Sequence, residues 1–172
     1  MGDTRVKKLH SMRVLEAQGM HYEVLSFPDS IHSAVSVAAH YSLPLAHVYK
    51  TLVVVLTPGQ PALVLIAGDR EIQLKRLAQA LGEKKLRMAS RKEAEAWTGL
   101  QVGGISALAL SHRGFPVYID RLATTLDDIV VSAGQRGLDV RLTVSDLVRV
   151  TGATFVEATT PPGEFCEQRD NA

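Results

Sequence analysis

The chain has 172 residues, of which 46% are hydrophobic and 22% charged, and its formal net charge is +1. These values are typical of a single globular domain and exclude a polybasic arm, so any contact with nucleic acid must come from a local patch. The lone cysteine, Cys166, cannot form an internal disulfide. Because the N-terminus lacks the apolar core of a signal peptide and no run of about eighteen apolar residues occurs, the sequence predicts a cytoplasmic protein with no membrane segment.

Up to residue 99, the sequence predicts helices and strands in irregular order. The segment HYEVLSF is typical of a short strand, and the apolar runs HVYKTLVVVL and ALVLIAG flank the turn TPGQP, which predicts a hairpin. KKLRMA has the composition of a further strand. Apolar residues at helical spacing predict four helices. Their ends are marked by capping signals: Gly19, then Ser33 and Pro44, then Gly82, and finally the capping box of Ser90 with Glu93, closed by Gly99.

After Gly99 the sequence is dominated by strand-like segments separated by glycine-containing turns: ISALAL, FPVYID, DIVVSAG, LDVRLTV and ATFVEA. Thr143 and Asp146 have the spacing of a capping box, which predicts a last helix ending at Gly152. This mixture predicts an α+β fold: one compact domain over residues 1–158, built on a mixed, largely antiparallel β-sheet or partial barrel flanked by helices. Residues 159–172 contain too few apolar side chains to order themselves, which predicts a flexible tail.

The motifs of several common enzyme classes are missing. The chain has neither a G-x-G-x-x-G sequence nor a P-loop, and it lacks the G-x-S-x-G nucleophile elbow. None of the six histidines belongs to an H-E-x-x-H motif or accompanies a pair of cysteines. Cys166, in a polar tail, is an unattractive nucleophile. The sequence therefore predicts neither a cofactor nor a metal site.

Lys50 stands near the start of the apolar run 47–56, which contains no acidic residue to neutralise its ammonium group. The ordinary explanation is a lysine whose aliphatic stem packs at a strand end while its charge reaches water. The alternative is an ammonium held at the rim of a pocket, where three donors on a compact charge bind a carbonyl or phosphate oxygen. Position alone leaves both explanations open.

Two glycine-containing segments could also serve a ligand. In QVGGISALAL, the adjacent Gly103 and Gly104 either form a plain turn or bring backbone N–H groups close to a ligand as an anion-binding concavity. In VSAGQRGLDV, Gly134 and Gly137 favour a tight hairpin. Asp139, which follows this hairpin, either begins the next strand or orients a ribose hydroxyl or an amino group.

In this order, five segments between residues 20 and 158 resemble those of the YbaK-like aminoacyl-tRNA deacylases, the free-standing relatives of the editing domain inserted in bacterial prolyl-tRNA synthetases: VYKTLVVV, LAQALGEKKLRMAS, TGLQVGGIS, VYID and VSAGQRGLDV. The resemblance implies an α+β fold and metal-independent hydrolysis of the ester of a mischarged tRNA. The implied substrate is a small amino acid such as Cys or Ala, with tRNA-Pro as the expected tRNA. The implied partners are the acceptor end of the tRNA and prolyl-tRNA synthetase.

The resemblance also implies roles for individual residues. Lys50 occupies the position of a lysine that the family needs for activity, and the family's G-x-x-x-P loop falls on residues 103–107. This chain departs from the family at Ala107, because alanine lacks the fixed φ of proline and adds an N–H donor. We expect the loop amides to stabilise the ester oxyanion. The implied site has Lys50 and Gly103 as catalytic groups and the following substrate-binding residues: Phe27, His32, Gly104, Ile105, Ser106, Ala107, Gly134 and Asp139.

Other assignments fit the same residues. Phe27 could belong to the core and His32 to a surface loop. The chain could instead be a non-catalytic module that binds an aminoacyl-adenosine, a tRNA or a synthetase, or a hydrolase of small esters unrelated to tRNA. No side chain is an obvious general base, so water or a group of the substrate is the expected nucleophile. The densest basic cluster either binds tRNA phosphates or forms a solvated face: Lys84, Lys85, Arg87, Arg91 and Lys92.

Overall fold

The structure of the protein is a computed structural model that describes residues 7–160. The predicted contribution of Val6 to the first helix and the predicted tail beyond residue 160, with Cys166, lie outside the described residues. The α-helices are α1 His10–Ala17, α2 Ala34–Tyr41, α3 Leu74–Leu81, α4 Arg91–Thr98 and α5 Val144–Thr151. The strands are β1 Glu23–Ser26, β2 Tyr49–Leu56, β3 Gln60–Ala67, β4 Glu71–Ile72, β5 Arg87–Met88, β6 Val117–Asp120, β7 Asp128–Gln135, β8 Leu138–Thr143, β9 Thr154–Val156 and β10 Thr159–Thr160.

The strands form three sheets. The largest has the order β5-β2-β3-β6-β9, in which β6 runs parallel to both of its neighbours and β2 antiparallel to both of its own. An antiparallel sheet has the order β1-β8-β7, and β4 pairs with β10. An isolated parallel bridge between Val48 and Val130 connects the two larger sheets. The predicted α+β fold on mixed, largely antiparallel strands is confirmed, and the sheets do not close into a barrel.

The core lies on both faces of β3. On one face, Leu63 and Leu65 belong to a cluster that includes residues of α1, β7 and β8, and on the other face Val64 and Ile66 pack with residues of α3. A strand that is buried on both faces is continuously apolar instead of alternating, which explains the segment ALVLIA. The predicted hairpin is confirmed, since β2 and β3 pair antiparallel across residues 57–59.

The predicted capping residues are found where three helices begin. Ser33, Ser90 and Thr143 each accept a hydrogen bond, at 3.1 to 3.2 Å, from the backbone N–H three residues further along the chain. The Glu93 carboxylate in turn accepts from the Ser90 amide at 2.9 Å, which completes the predicted capping box of α4. Each bond satisfies an N–H group that the helix itself leaves without an acceptor.

The predicted strand ISALAL is wrong. Residues 107–110 form consecutive turns, in which the Leu110 amide donates to the Ser106 carbonyl at 3.1 Å and the Ala109 amide donates to the Ser106 hydroxyl at 3.2 Å. Ala107, Leu108 and Leu110 are nevertheless buried in the core. The segment is apolar because of this burial, while local hydrogen bonds to Ser106 replace those of a β-ladder.

The described chain continues in regular structure two residues into the segment that the sequence assigned to the tail. Thr159 and Thr160 form β10, which pairs with β4. The Thr159 hydroxyl donates to one carboxylate oxygen of the buried Asp120 at 3.0 Å, and the Ala158 amide donates to the other at 2.9 Å. Composition does not reveal this anchor, because it depends on a carboxylate about forty residues earlier in the chain.

Candidate functional site

A cleft of about 440 Å³ opens where the two larger sheets diverge. The bridge between Val48 and Val130 holds these sheets together at one point, while β5 pairs only with the far end of β2. The first residues of β2 therefore border the cleft, together with Ser132 of β7 and Asp139 of β8. The divergence of the sheets thus creates a concave site at a place where strand edges and side chains of both sheets are accessible.

Six of the predicted site residues line this cleft: Phe27, His32, Lys50, Gly103, Ile105 and Asp139. They come from four separate parts of the chain, namely the β1–α2 connection, the start of β2, the segment after α4 and the start of β8. The fold therefore brings together residues that are more than a hundred positions apart in the sequence.

Lys50 is half-buried at the cleft, where it pairs across the hairpin with Ile66. Within residues 7–160, its ammonium group forms neither an ion pair nor a hydrogen bond. A compact cation with three donors that faces a cleft in this way is available to a carbonyl or phosphate oxygen of a ligand.

Asp139 is the buried acid of the cleft, with 8% of its surface exposed. It lies in β8 between Leu25 of β1 and Ser132 of β7. Burial raises the pKa of its carboxyl group from 3.8 to about 7, and the carboxyl group forms no ion pair within residues 7–160. Near neutral pH the ionised carboxylate lacks a cation, and a positively charged group of a ligand could supply one.

The glycine-containing loop presents two unoccupied amides to the cleft. The Gly104 amide donates to the Gln101 carbonyl at 2.8 Å and is therefore not available to a ligand. Gly103 and Ile105 both line the cleft, and within the described residues their amides donate to no acceptor. The candidate oxyanion site is thus confined to these two donors, a smaller set than the sequence suggested.

Arg136, in the turn between β7 and β8, holds this loop in place. Its Nε and Nη2 atoms donate to the Val102 carbonyl at 2.9 and 2.7 Å. A Cβ on Gly104 would lie 2.9 Å from the Arg136 backbone nitrogen, and one on Gly103, whose φ is +94°, would lie 3.3 Å from Arg136 Nε. Both glycines therefore permit close packing of the hairpin turn on the loop, a role that the sequence did not reveal for Arg136.

Three of the predicted residues support the loop from beneath. Ser106 and Ala107 are buried, and Ala107 belongs to the main core. Gly134 faces the same segment, since a Cβ there would lie 3.0 Å from the Ala109 Cβ atom. Like Gly104, these residues do not line the cleft. The alanine in place of the family proline therefore acts on the packing of the loop and does not contact the cleft.

Gly68 is a cleft residue that the sequence analysis missed. It follows β3, and its amide donates to the Val48 carbonyl at 2.7 Å. A Cβ at this position would lie 2.6 Å from Leu45 Cδ1 and 2.8 Å from the Ala34 Cβ atom. The predicted hairpin contained the necessary signal. If the residue pairs are counted back from the turn, Gly68 falls beside the residues that precede Lys50 at the start of β2.

The mouth of the cleft combines apolar and basic groups. Val35 and Val102 border it with 60% and 38% of their surface exposed. Arg91, from the predicted basic cluster, also lines the cleft and pairs with Glu95 at 3.1 Å. The mouth therefore offers apolar contact surface beside a cation that is already paired with Glu95.

Residues 7–160 contain no group of three or more His, Cys, Asp or Glu side chains that could hold a metal ion. None of the helices described there has the length and apolar character required to cross a lipid bilayer.

Known proteins share this fold and sequence pattern. A family model described as an aminoacyl-tRNA editing domain matches residues 28–150. An Enterococcus faecalis protein named "Putative Cys-tRNA(Pro)/Cys-tRNA(Cys) deacylase EbsC" is 35% identical over 156 residues, which cover 90% of this chain and 94% of the relative. A proline–tRNA ligase of Sulfurihydrogenibium sp. is 30% identical over 129 residues, 75% of this chain but 22% of the ligase. The solved structure of "a putative trans-editing enzyme for prolyl tRNA synthetase" has the same fold, with a TM-score of 0.75 and 24% identity over 90% of this chain and 99% of that one.

Proposed function

This chain belongs to the aminoacyl-tRNA editing domain family, and we propose that it is a trans-editing deacylase, which hydrolyses the ester bond of a mischarged tRNA. One observation carries the proposal: Lys50, Gly103 and Ile105 line the same cleft, and within residues 7–160 the Lys50 ammonium and the amides of Gly103 and Ile105 have no hydrogen-bond partner. The proposed substrate carries a small amino acid, cysteine or alanine, on tRNA-Pro. The name of the E. faecalis relative, which specifies Cys-tRNA(Pro) and Cys-tRNA(Cys), supports this choice.

Positioning and charge stabilisation are the main requirements of the reaction, because an aminoacyl ester is already activated. In the proposed mechanism, the amides of Gly103 and Ile105 donate to the ester carbonyl oxygen as it becomes an oxyanion. Lys50 contacts the acyl carbonyl or the phosphate of the terminal adenosine and fixes the ester in the cleft. Such donors are already oriented when charge develops, and the loss of one typically lowers kcat by about 10²–10³.

No side chain in this mechanism forms a covalent intermediate. The nucleophile is water, which gives the free amino acid directly, or, for a cysteinyl substrate, the thiol of the substrate itself, which gives a thiolactone that water then opens. In both cases the C–O ester bond breaks, and the proton lost by the nucleophile passes to the ribose oxygen that leaves. Asp139 binds the α-ammonium group of the aminoacyl moiety, which supplies the cation that its buried carboxylate lacks. This contact orients the acyl group with its carbonyl toward Gly103 and Ile105.

A small acyl group is proposed because the selectivity of synthetases is limited. A synthetase distinguishes a missing methylene by only about 1–3 kcal/mol, so it charges some smaller amino acids in error. A second site corrects this error if it admits the tRNA charged with the smaller, wrong amino acid and excludes the tRNA charged with the larger, correct one.

The basic cluster is proposed to meet phosphates of the acceptor end. Arg87 is already bound by the Glu93 carboxylate through two hydrogen bonds, of 2.8 and 2.9 Å. Lys84, Lys85 and Lys92 are exposed and form no ion pair within the described residues. Prolyl-tRNA synthetase is a further proposed partner, and the likeness of this chain to part of a proline–tRNA ligase supports it.

A deacylation panel tests the proposal. Ala-, Cys-, Ser- and Pro-charged tRNA-Pro are incubated with the wild-type protein and with Lys50→Ala, and free amino acid is measured over time. We expect release of a small amino acid, lost in Lys50→Ala, and intact Pro-tRNA-Pro. Protection of the ester without release would identify a non-catalytic binding module, and full activity of Lys50→Ala would refute the role assigned to Lys50.

A further inference from the structure

A second cleft, of about 370 Å³, lies on the other side of the turn that follows β3. Gly68 lines the first cleft and Arg70, two residues later, lines the second. Its lining is mostly charged and polar. It contains three arginines, Arg70, Arg76 and Arg121, two acids, Asp120 and Glu157, and three threonines.

The two acidic side chains of this cleft do not form ion pairs with all three of its guanidinium groups. Both carboxylate oxygens of Asp120 accept hydrogen bonds from the β9–β10 segment. Glu157 lies between two arginines, 3.8 Å from Arg76 and 3.4 Å from Arg121. Arg70 forms no ion pair with any residue of the described range. Arg70 is therefore the guanidinium of this cleft that no carboxylate of the described range holds in an ion pair.

Unsatisfied polar atoms lie at and beside the turn between the two clefts. Within the described residues, Arg70 Nε, Asp69 Oδ1 and the Tyr49 hydroxyl are buried without a hydrogen-bond partner. Tyr49 is 4% exposed, and burial, with Asp120 and Asp69 nearby, raises the pKa of its hydroxyl group. Each buried polar group without a partner destabilises the fold by about 1–3 kcal/mol, so a guanidinium kept here is better explained by a ligand than by stability.

We propose that Arg70 and Arg121, supported by Arg76, form a phosphate-binding site for a phosphodiester of the tRNA substrate. The tRNA would then cross the turn at residues 68–70, with its ester in the first cleft and a backbone phosphate in the second. Guanidinium groups match phosphate oxygens in a bidentate geometry. This inference rests on the proposed function, and it explains how a chain with a net charge of +1 holds a polyanion at more than one point.

The experiment uses Arg70→Gln and Arg121→Gln in the full chain, with Arg13→Gln as the matched control on the exposed surface of α1. Arg76 is left unchanged, because it also donates to the Thr159 carbonyl at 3.2 Å. Deacylation is measured with charged tRNA and with a minimal aminoacyl-adenosine, which has no phosphodiester. The ratio of kcat/KM for tRNA to that for the minimal ester is expected to fall about tenfold in each variant, as for a lost phosphate contact, and to stay constant in the control.

Binding of uncharged tRNA is measured in parallel, by fluorescence anisotropy from about 50 to 200 mM salt. The slope of log K against log salt should decrease in magnitude by about one per lost contact in the Arg70 and Arg121 variants. Arg121→Lys keeps the charge but loses the bidentate geometry, so it should restore the slope and only part of the affinity. Affinity and slope equal to those of Arg13→Gln, or an equal loss on both substrates, would overturn the site. If the wild type binds tRNA but cleaves no ester, the proposed function fails while the binding comparison still decides on the phosphate site.

Discussion

Replacing Asp139 by asparagine is expected to stabilise the protein at alkaline pH while it impairs deacylation. The carboxyl group is buried, and burial raises its pKa from 3.8 to about 7. At a pH between these two values, the Asp139 carboxyl group is protonated in the folded protein and ionised in the unfolded chain. The free energy of unfolding therefore falls as the pH rises from about 4 to about 7, and the full cost of the buried charge is reached above pH 7.

The magnitude follows from the same two pKa values. At about 1.4 kcal/mol per pH unit, a pKa of about 7 against 3.8 corresponds to about 4 kcal/mol of lost stability at pH 8. Asparagine has nearly the same shape and no charge, so Asp139→Asn should recover up to this amount at pH 8 and little at pH 4. The substitution removes the proposed contact with the substrate ammonium, so its effect on kcat/KM should have the opposite sign.

Urea unfolding of wild type and Asp139→Asn at pH 4, 6 and 8 measures this difference. The exposed Asp127 provides a matched control, since Asp127→Asn makes the same chemical change without burial. A stability difference between Asp139→Asn and wild type that does not grow with pH would show that the carboxylate is solvated in the folded protein. That result would also contradict the proposed role of Asp139 in binding the ammonium group of the substrate.

Two other substitutions test the packing around the cleft, and a third tests the cap of α4. Gly68→Ala places a Cβ 2.6 Å from Leu45 Cδ1, so it should destabilise the fold by about 1–3 kcal/mol in urea unfolding, and an unchanged midpoint would contradict the geometry. Gly104→Ala places a Cβ 2.9 Å from the backbone of Arg136 and should lower kcat by displacing the loop, with circular dichroism as the check on folding. Ser90→Ala removes the N-cap of α4 and should lower the free energy of unfolding by about 1 kcal/mol without lowering deacylation of a minimal ester.

The parts of the fold that follow from local rules were predictable. Ser33, Ser90 and Thr143 cap helices because a short side chain can reach the free N–H groups of the first turn. The hairpin of β2 and β3 follows from two apolar runs around one turn. The segment 105–110 was not predictable, since its apolar residues are buried in the core by turns instead of by β-pairing.

The residues of the candidate site were easier to predict than their environment. Lys50, Gly103 and Asp139 could be selected from the sequence because charge or glycine interrupts an apolar pattern there. Their functional roles stay predictions. The pKa of the Asp139 carboxyl group depends on its burial by strands from other parts of the chain. The position of the glycine-containing loop depends on hydrogen bonds from Arg136 to the Val102 carbonyl. These tertiary features carry no local sequence signal.

The bridge between Val48 and Val130 has a consequence for how substrate choice can change. Lys50 belongs to one sheet, while the loop with Gly103 is fastened by Arg136 to the hairpin of the other. Within residues 7–160 the two sheets share one isolated backbone bridge, and their spacing otherwise depends on the core side chains packed between them. A change in the volume of these side chains is expected to widen or narrow the space for the acyl group. Selection could therefore retune which amino acid is removed through core residues between the sheets, with every residue in contact with the substrate left as it is.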